Sequence, residues 1–384
     1  MIYVALLIGN WFSFNNLLVV QCDCHIHYHS IFTGGFFVSK VLITGGAGFL
    51  GLHAAHWFAN HGWNVILEDI APYDEAEYPK GCVFINHDVR DRTGMDKILA
   101  EHHPDLIVHG AAALPLWKPS DIFSTNVHGT KQVLDAAVAA KIPRLIFISS
   151  TSVYGIPDHH PLVETDRLQG VGPYGESKIQ AEMVCLQYRD KLCVPIIRPK
   201  SFIGTYRLGV FAILYDWVES GKRIPMIGKG KNRYQLLEVD DLCEAIYLAG
   251  TLDAKICNDS FHVGAQEFKT VYEDVKAMCD YAGGGARPWG TPAGPVKFAL
   301  RVFEATGLSP LYKWIYGTAD QDSFVSIDKA QKVLGWKPKY SNADALIRSY
   351  QWYLDHKQEI PHGTGVTHRV AWNQGILKFF KKFM

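Results

Sequence analysis

The stretch "VLITGGAGFLGLH", residues 41–53, decides how the chain is to be read. "KVLIT" is a short apolar run of the kind that forms a buried parallel strand. "GFLGLHAAHWFANHG" carries apolar residues at helical spacing and is closed by Asn60, His61 and Gly62. Between strand and helix, Gly45, Gly48 and Gly51 stand three apart. The first permits a tight turn, the second lets backbone approach a pyrophosphate, and the third lets the helix pack closely on the sheet. Free N–H groups and the dipole at the helix mouth favour the phosphates. Gly45, Gly48, Phe49, Leu50 and Gly51 are therefore candidate cofactor contacts.

Outward from this turn the same alternation continues. "WNVILEDI" reads as the next strand, and Asp69 falls 18 residues after Gly51, where a carboxylate can accept hydrogen bonds from the adenosine ribose hydroxyls. An acid there repels a 2′-phosphate, which selects NAD over NADP. Further strands are expected at "CVFIN", "LIVHG" and "RLIFISS", separated by helical stretches such as "STNVHGTKQVLDAAVAA". The expected fold class is α/β: a Rossmann-type doubly wound parallel sheet, with its ligand at the carboxyl ends of the strands.

"PYGESKIQAEMVCLQY" places Tyr174 and Lys178 four apart at the start of a helix, on one face. A phenol of pKa ~10 is a poor base at neutral pH, and a neighbouring ammonium stabilises its ionised form. Lys178 can also hold the nicotinamide ribose. Ser150, in "FISSTSVYG", can hydrogen-bond the substrate oxygen whose proton Tyr174 takes or returns.

With these residues the chain resembles the extended short-chain dehydrogenases/reductases, the superfamily of nucleotide-sugar epimerases, dehydratases and 3β-hydroxysteroid dehydrogenases. The resemblance covers roughly residues 40–357 and rests on seven features in order: "TGGAGFLG", Asp69, "DVRD", "HGAAA", "NVHGT", "SSTSVYG" and "YGESK". It implies that Asp88 and Val89 border the adenine and that the Ala111, Ala112 and Ala113 backbone lies near the cofactor. It also implies that Ser150, Tyr174 and Lys178 catalyse. Asn126 is either a helix-positioning residue or part of a proton path, and His109 is expected to be structural. A homodimer is implied as well.

The resemblance also implies a smaller, discontinuous C-terminal substrate domain. The expected division is an N-terminal extension at 1–37 and an NAD-binding domain at 38–200, to which 235–263 return. Residues 201–234 and 264–360 then form the substrate domain, and 361–384 a basic amphipathic tail. Nucleotide-sugar enzymes carry an Asn two residues after "RP"; here Ser201 stands in "RPKSFIG". They carry an Arg seven residues before the Asp of "V-x-D-L" to neutralise a diphosphate; here Tyr234 holds that offset from Asp241, and Arg233 lies one residue earlier. Ser201 and Arg233 are the candidate substrate contacts. Dehydratases follow the Ser/Thr with Asp-Glu, whereas Thr151 and Ser152 stand here, so dehydration is disfavoured. The expected activity is a nucleotide-sugar epimerase working through a transient keto intermediate. The alternative is a 3β-hydroxysteroid or lipid-alcohol dehydrogenase, suggested by the apolar stretch "GPVKFALRVFEATGLSPLYKWIYG".

Composition bounds the partners. Thirty-eight basic residues cancel 38 acidic ones, so nothing global points to nucleic acid. Eight cysteines scattered through 384 residues suit reduced thiols and a cytoplasmic setting. Residues 1–20 are apolar, yet polar residues interrupt them and no Lys or Arg precedes Lys40, unlike a signal peptide. Cys22, Cys24, His25, His27 and His29 are metal-binding residue types without the spacing of a closed zinc site, so no metal is expected. Val38 is the expected start of the self-sufficient domain. In the tail, Ile376, Phe379, Phe380 and Phe383 form one helical face and Lys378, Lys381 and Lys382 the other. From 369 to 384 such a helix suits either peripheral contact with the inner face of the membrane or docking on protein.

Overall fold

Strands buried at every position, such as Leu106–His109 and Leu145–Ile148, require cover on both faces, and helices provide it. The computed structural model describes residues 39–115, 117–206, 208–306, 313–360, 362–363, 371–372, 377 and 381. The expected extension at 1–37, with its Cys and His cluster and Val38, lies outside the described residues.

The first half alternates β1 (Lys40–Thr44), α1 (Phe49–Asn60), β2 (Asn64–Asp69), β3 (Val83–Asn86), α2 (Arg92–His102), β4 (Leu106–His109), α3 (Pro119–Phe123), α4 (Thr130–Ala139), β5 (Leu145–Ile148), α5 (Gly172–Leu186) and β6 (Ile196–Pro199). The second half carries β7 (Ser201–Ile203), α6 (Phe211–Glu219), β8 (Arg223–Ile227), β9 (Leu236–Glu238), α7 (Val239–Thr251), α8 (Ala254–Cys257) and β10 (Ser260–Val263). It continues through α9 (Val271–Ala282), β11 (Arg287–Thr291), α10 (Ala293–Ala305), α11 (Lys313–Thr318), α12 (Asp328–Leu334) and α13 (Asn342–His356).

Seven strands form one parallel sheet in the order β10-β6-β5-β4-β1-β2-β3. The chain reverses its winding between β1 and β4, which opens a crevice at their carboxyl ends. One apolar core packs α1 and α7 on one face of the sheet, around Phe58, Leu242 and Ile246; another packs α2, α4 and α5 on the opposite face, around Met95, Val133 and Ala181. A third core, around Tyr215, Trp217 and Met278, joins α6, α9 and α13 beyond the sheet. There β7 pairs with β9, and β8 with β11.

The run "STNVHGTKQVLDAAVAA" is not one regular helix. Ser124–Gly129 winds as a π-helix between α3 and α4, and it places Asn126 inward. Arg198 on β6 and Glu182 on α5 form a buried ion pair at 2.6 Å. Arg198 also donates to the Tyr154 hydroxyl, and Ser149 donates to Glu182 at 2.5 Å. These bonds tie the end of β5 to α5 from beneath, where the chemistry-bearing residues emerge.

Candidate active site

A cleft of about 510 Å³ opens at the carboxyl edge of β1, β2, β4 and β5. Gly45, Gly48, Phe49 and Leu50 line it, as do Asp69, Asp88, Val89, Ala111, Ala112, Ala113, Tyr174 and Lys178. Gly45 turns with φ +74°, and a Cβ there would lie 2.8 Å from the Ala111 nitrogen. Gly51 lies behind the wall: a Cβ on it would meet the Gly45 and Gly46 carbonyl oxygens at 2.4 and 2.5 Å. The turn and the helix mouth thus touch through bare backbone.

Asp69 ends β2. Its Oδ2 accepts the Ala47 N–H at 3.0 Å and its Oδ1 the Ala71 N–H at 2.9 Å. These bonds fix the carboxylate at the cleft while each oxygen keeps further acceptor capacity for a diol. Asp88 is held by Arg90 through several hydrogen bonds, the shortest 2.6 Å, which keep its carboxyl below the usual range.

The opposite end is built by α5. Tyr174 stands in its first turn and Lys178 one turn on, with the ammonium 6.0 Å from the Tyr174 ring centre. Lys178 is buried, donates to the Ile148 carbonyl at 2.8 Å and lies 4.9 Å from the Phe147 ring centre. Burial pushes its ammonium down to about 8. Ser150 follows the end of β5, where its Oγ accepts the Ser152 N–H at 3.1 Å and caps a short 3₁₀ turn. Its neighbour Ser149, rather than Ser150, lines the cleft.

Asn126 holds these parts together. Its Oδ1 accepts the Ala113 N–H at 2.8 Å, while its Nδ2 donates to the Ala113 carbonyl and to Ser177 Oγ at 3.2 and 3.0 Å. Both amide protons are used in positioning. His109 is buried with both nitrogens bonded, and burial pushes its imidazolium down to about 3. Thr130 Oγ1 donates to the Asn126 carbonyl at 2.7 Å, so it accepts from His109 Nε2 at 3.0 Å. That assigns Nδ1 as acceptor of the Thr44 hydroxyl at 2.7 Å. His109 is a strut between β1, β4 and α4.

Ser201 and Arg233 lie outside this cleft lining. Ser201 Oγ meets the Tyr234 hydroxyl at 2.7 Å, and Arg233 is exposed, its guanidinium between the rings of Phe268 and Phe324 at 4.6 and 4.7 Å. Among the lining residues that the sequence reading did not name, Glu68 and His87 form a titratable pair. His87 meets Glu68 Oε1 at 3.1 Å and the Asp91 carbonyl at 3.0 Å, and the bond to Glu68 raises its pKa. Burial lifts the Glu68 carboxyl to about 7. Glu68 and His87 belong to different strand ends, so no local spacing announces the pair.

The model of the NAD dependent epimerase/dehydratase family matches residues 41–264, and the chain belongs to that family. It is an enzyme, and NAD is its cofactor. It is 34% identical over 354 residues to the uncharacterized protein y4nG of Sinorhizobium fredii, covering 89% of this chain and 86% of that protein. It is 28% identical over 339 residues to a UDP-glucose 4-epimerase of Rhizobium leguminosarum bv. trifolii, covering 83% and 98% of the two chains. Among solved structures, the UDP-glucose 4-epimerase of Thermotoga maritima with UDP-glucose superposes with a TM-score of 0.70 at 23% identity, covering 83% and 99%. Nothing in these matches carries the sterol alternative.

The cleft fits a dinucleotide: a glycine turn with close backbone approach, a helix mouth capped by a glycine and a ribose-competent acid lie along one wall.

Proposed function

We propose that this enzyme is a nucleotide-sugar epimerase. The observation that carries the reading is the presence of Tyr174 and Lys178 on the same cleft as Gly45–Leu50, in a chain related to UDP-glucose 4-epimerases. NAD, when bound, accepts hydride from a sugar carbon and returns it. Tyr174 removes the proton of the hydroxyl on that carbon and gives it back after the keto sugar has presented its other face. Lys178 favours the ionised phenol by its charge and holds the cofactor ribose. Ser150 orients the sugar oxygen. Neither Thr151 nor Ser152 supplies the acid a dehydratase needs at that turn, which favours epimerisation.

Purified protein incubated with UDP-sugars and sterols should isomerise a UDP-sugar without net NADH, followed by product separation and absorbance. Stoichiometric NADH with a sterol, and no sugar product, would reverse the assignment.

We assign NAD to 38–200 with 235–263, and the nucleotide-sugar substrate to 201–234 with 264–360. A homodimer is supported by α5, where Met183 and Leu186 are 58% and 50% exposed beside a groove lined by Phe123, Val127 and Val184. Sedimentation should give a dimer, and Met183→Glu should give monomers; a monomeric parent would remove the assignment. The tail is assigned to its own domain rather than to a membrane. Most of it lies outside the described residues, but Leu377 packs on the third core and the Lys381 ammonium bonds the Asp216 carboxylate on α6. Among the described residues no helix is long and apolar enough to cross a membrane. The protein should stay out of floated anionic vesicles, and recovery with lipid would restore the peripheral reading. The six described cysteines are free thiols, in keeping with a cytoplasmic setting.

A further inference from the structure

Among the described residues two lysines are buried, Lys178 and Lys200. The first belongs to the cofactor cleft. The second, 4% exposed, has no part in the chemistry above. Lys200 follows the last residue of β6 and precedes β7, so it stands at the carboxyl edge of the sheet, where ligands of doubly wound folds bind. Its neighbour but one, Phe202, lines the cleft. The backbone N–H of Lys200 is fixed to the Val263 carbonyl at 2.9 Å. Its ammonium donates to Ser323 Oγ at 2.6 Å and lies 4.9 Å from the ring centre of Tyr234.

A hydroxyl and a ring face are weak compensation for a buried ammonium, which is ordinarily paired with an acid. Arg198, two residues earlier, has such an acid in Glu182. No acid among the described residues offsets the burial of Lys200, and that burial pushes its ammonium down to about 7. When protonated, the Lys200 ammonium therefore has no acidic counter-group among the described residues.

The neighbours of Lys200 are Ser201 and Tyr234, the positions that the resemblance to nucleotide-sugar enzymes names for substrate contact. Here those two positions are bonded to each other through their hydroxyls at 2.7 Å, and Lys200 covers the Tyr234 ring. Arg233, the nearest sequence substitute, is held between Phe268 and Phe324. Lys200, just past the end of β6, brings a cation to this same group of side chains.

We propose that Lys200, steadied by Ser323 and Tyr234, is the group that receives a negative charge of the substrate. The chemistry shared by the candidate ligands is an anionic oxygen cluster, supplied either by the diphosphate of a nucleotide sugar or by a carboxylate on its sugar ring. The assignment rests on the nucleotide-sugar reading.

Titration calorimetry on the NAD-loaded protein separates the cases. With Lys200→Met, a diphosphate role weakens UDP-glucose and UDP-glucuronate alike, by about tenfold or more, and leaves uridine unchanged. A carboxylate role weakens UDP-glucuronate alone. Lys200→Arg should recover part of either loss, which an uncharged filler would not. Equal binding of every ligand by the parent and Lys200→Met overturns the inference alone; a parent that binds neither nucleotide sugar overturns the nucleotide-sugar reading and this inference with it. A second measurement needs no variant. A uridine diphosphate ester of pyridoxal, incubated with the parent and cyanoborohydride, condenses its aldehyde with a nearby amine, loses water and is reduced to a stable secondary amine. Peptide mass mapping should find the label on Lys200; label on other lysines only, or none, overturns the assignment.

Discussion

Tyr174→Phe is expected to lower epimerase turnover by about 10³-fold while leaving NAD affinity within a few fold. The phenol ring lies in the first turn of α5 and lines the cleft, so Phe preserves the wall and its packing. What it removes is the oxygen proposed to accept the sugar proton. The cofactor keeps its turn, its helix mouth and Asp69, none of which depends on that oxygen. Lys178 keeps its own anchor in the Ile148 carbonyl, so the variant does not release a charged group into the site. Product formation from a UDP-sugar gives the rate, and NAD released by acid from the desalted protein gives occupancy. Turnover within tenfold of the parent would remove Tyr174 as the base. Loss of bound NAD in step with activity would reassign it to cofactor binding.

The parts of this fold that the sequence announces are those fixed by local rules. The glycine turn needs particular residues at particular positions, and the strand–helix alternation writes its period directly into the apolar pattern. Tyr174 and Lys178 were legible for the same reason, since four residues is one helical turn. The supports of the site were not. Asn126 acts from a π-helical turn that helical periodicity does not distinguish from an α-helix, and it matters because it bonds Ala113 and Ser177, 13 and 51 residues away. Arg198 meets Glu182 and Tyr154 only when β6 lies beside β5. Lys200 reads in sequence as one more surface lysine; its burial follows from its place between two strands and beneath a segment more than a hundred residues later. Each of these long-range contacts is a product of strand order, which residue spacing does not encode. The Ser201 and Arg233 expectations show the same limit from the other side: a transferred offset named two positions, but the packing of Tyr234 and of two phenylalanines decides what each side chain can reach.

Gly51→Ala is the second large effect, because one methyl group acts on the cofactor through the backbone. The added Cβ would lie 2.4 and 2.5 Å from the Gly45 and Gly46 carbonyl oxygens, neither of which is the end of a flexible side chain. Relief requires α1 to back away from the turn, which weakens the hydrogen bonds that the turn and helix mouth offer a pyrophosphate. At about 1.5–3 kcal/mol for one hydrogen bond to a charged group, NAD affinity should fall by about ten- to hundredfold. Overpacking of this kind also destabilises by about 1–3 kcal/mol, so a lowered melting temperature alone would not identify the cause. Gly62→Ala separates the two. Gly62 lies at the far end of α1 with φ +80° and nothing within 4 Å of a built Cβ, so its substitution costs stability through backbone strain of about 1–2 kcal/mol. If both variants melt lower but only Gly51→Ala loses NAD, the helix mouth and the turn act as one anion-binding surface. If Gly51→Ala binds NAD as the parent does, the turn tolerates displacement, and the close approach of bare backbone is not what holds the cofactor.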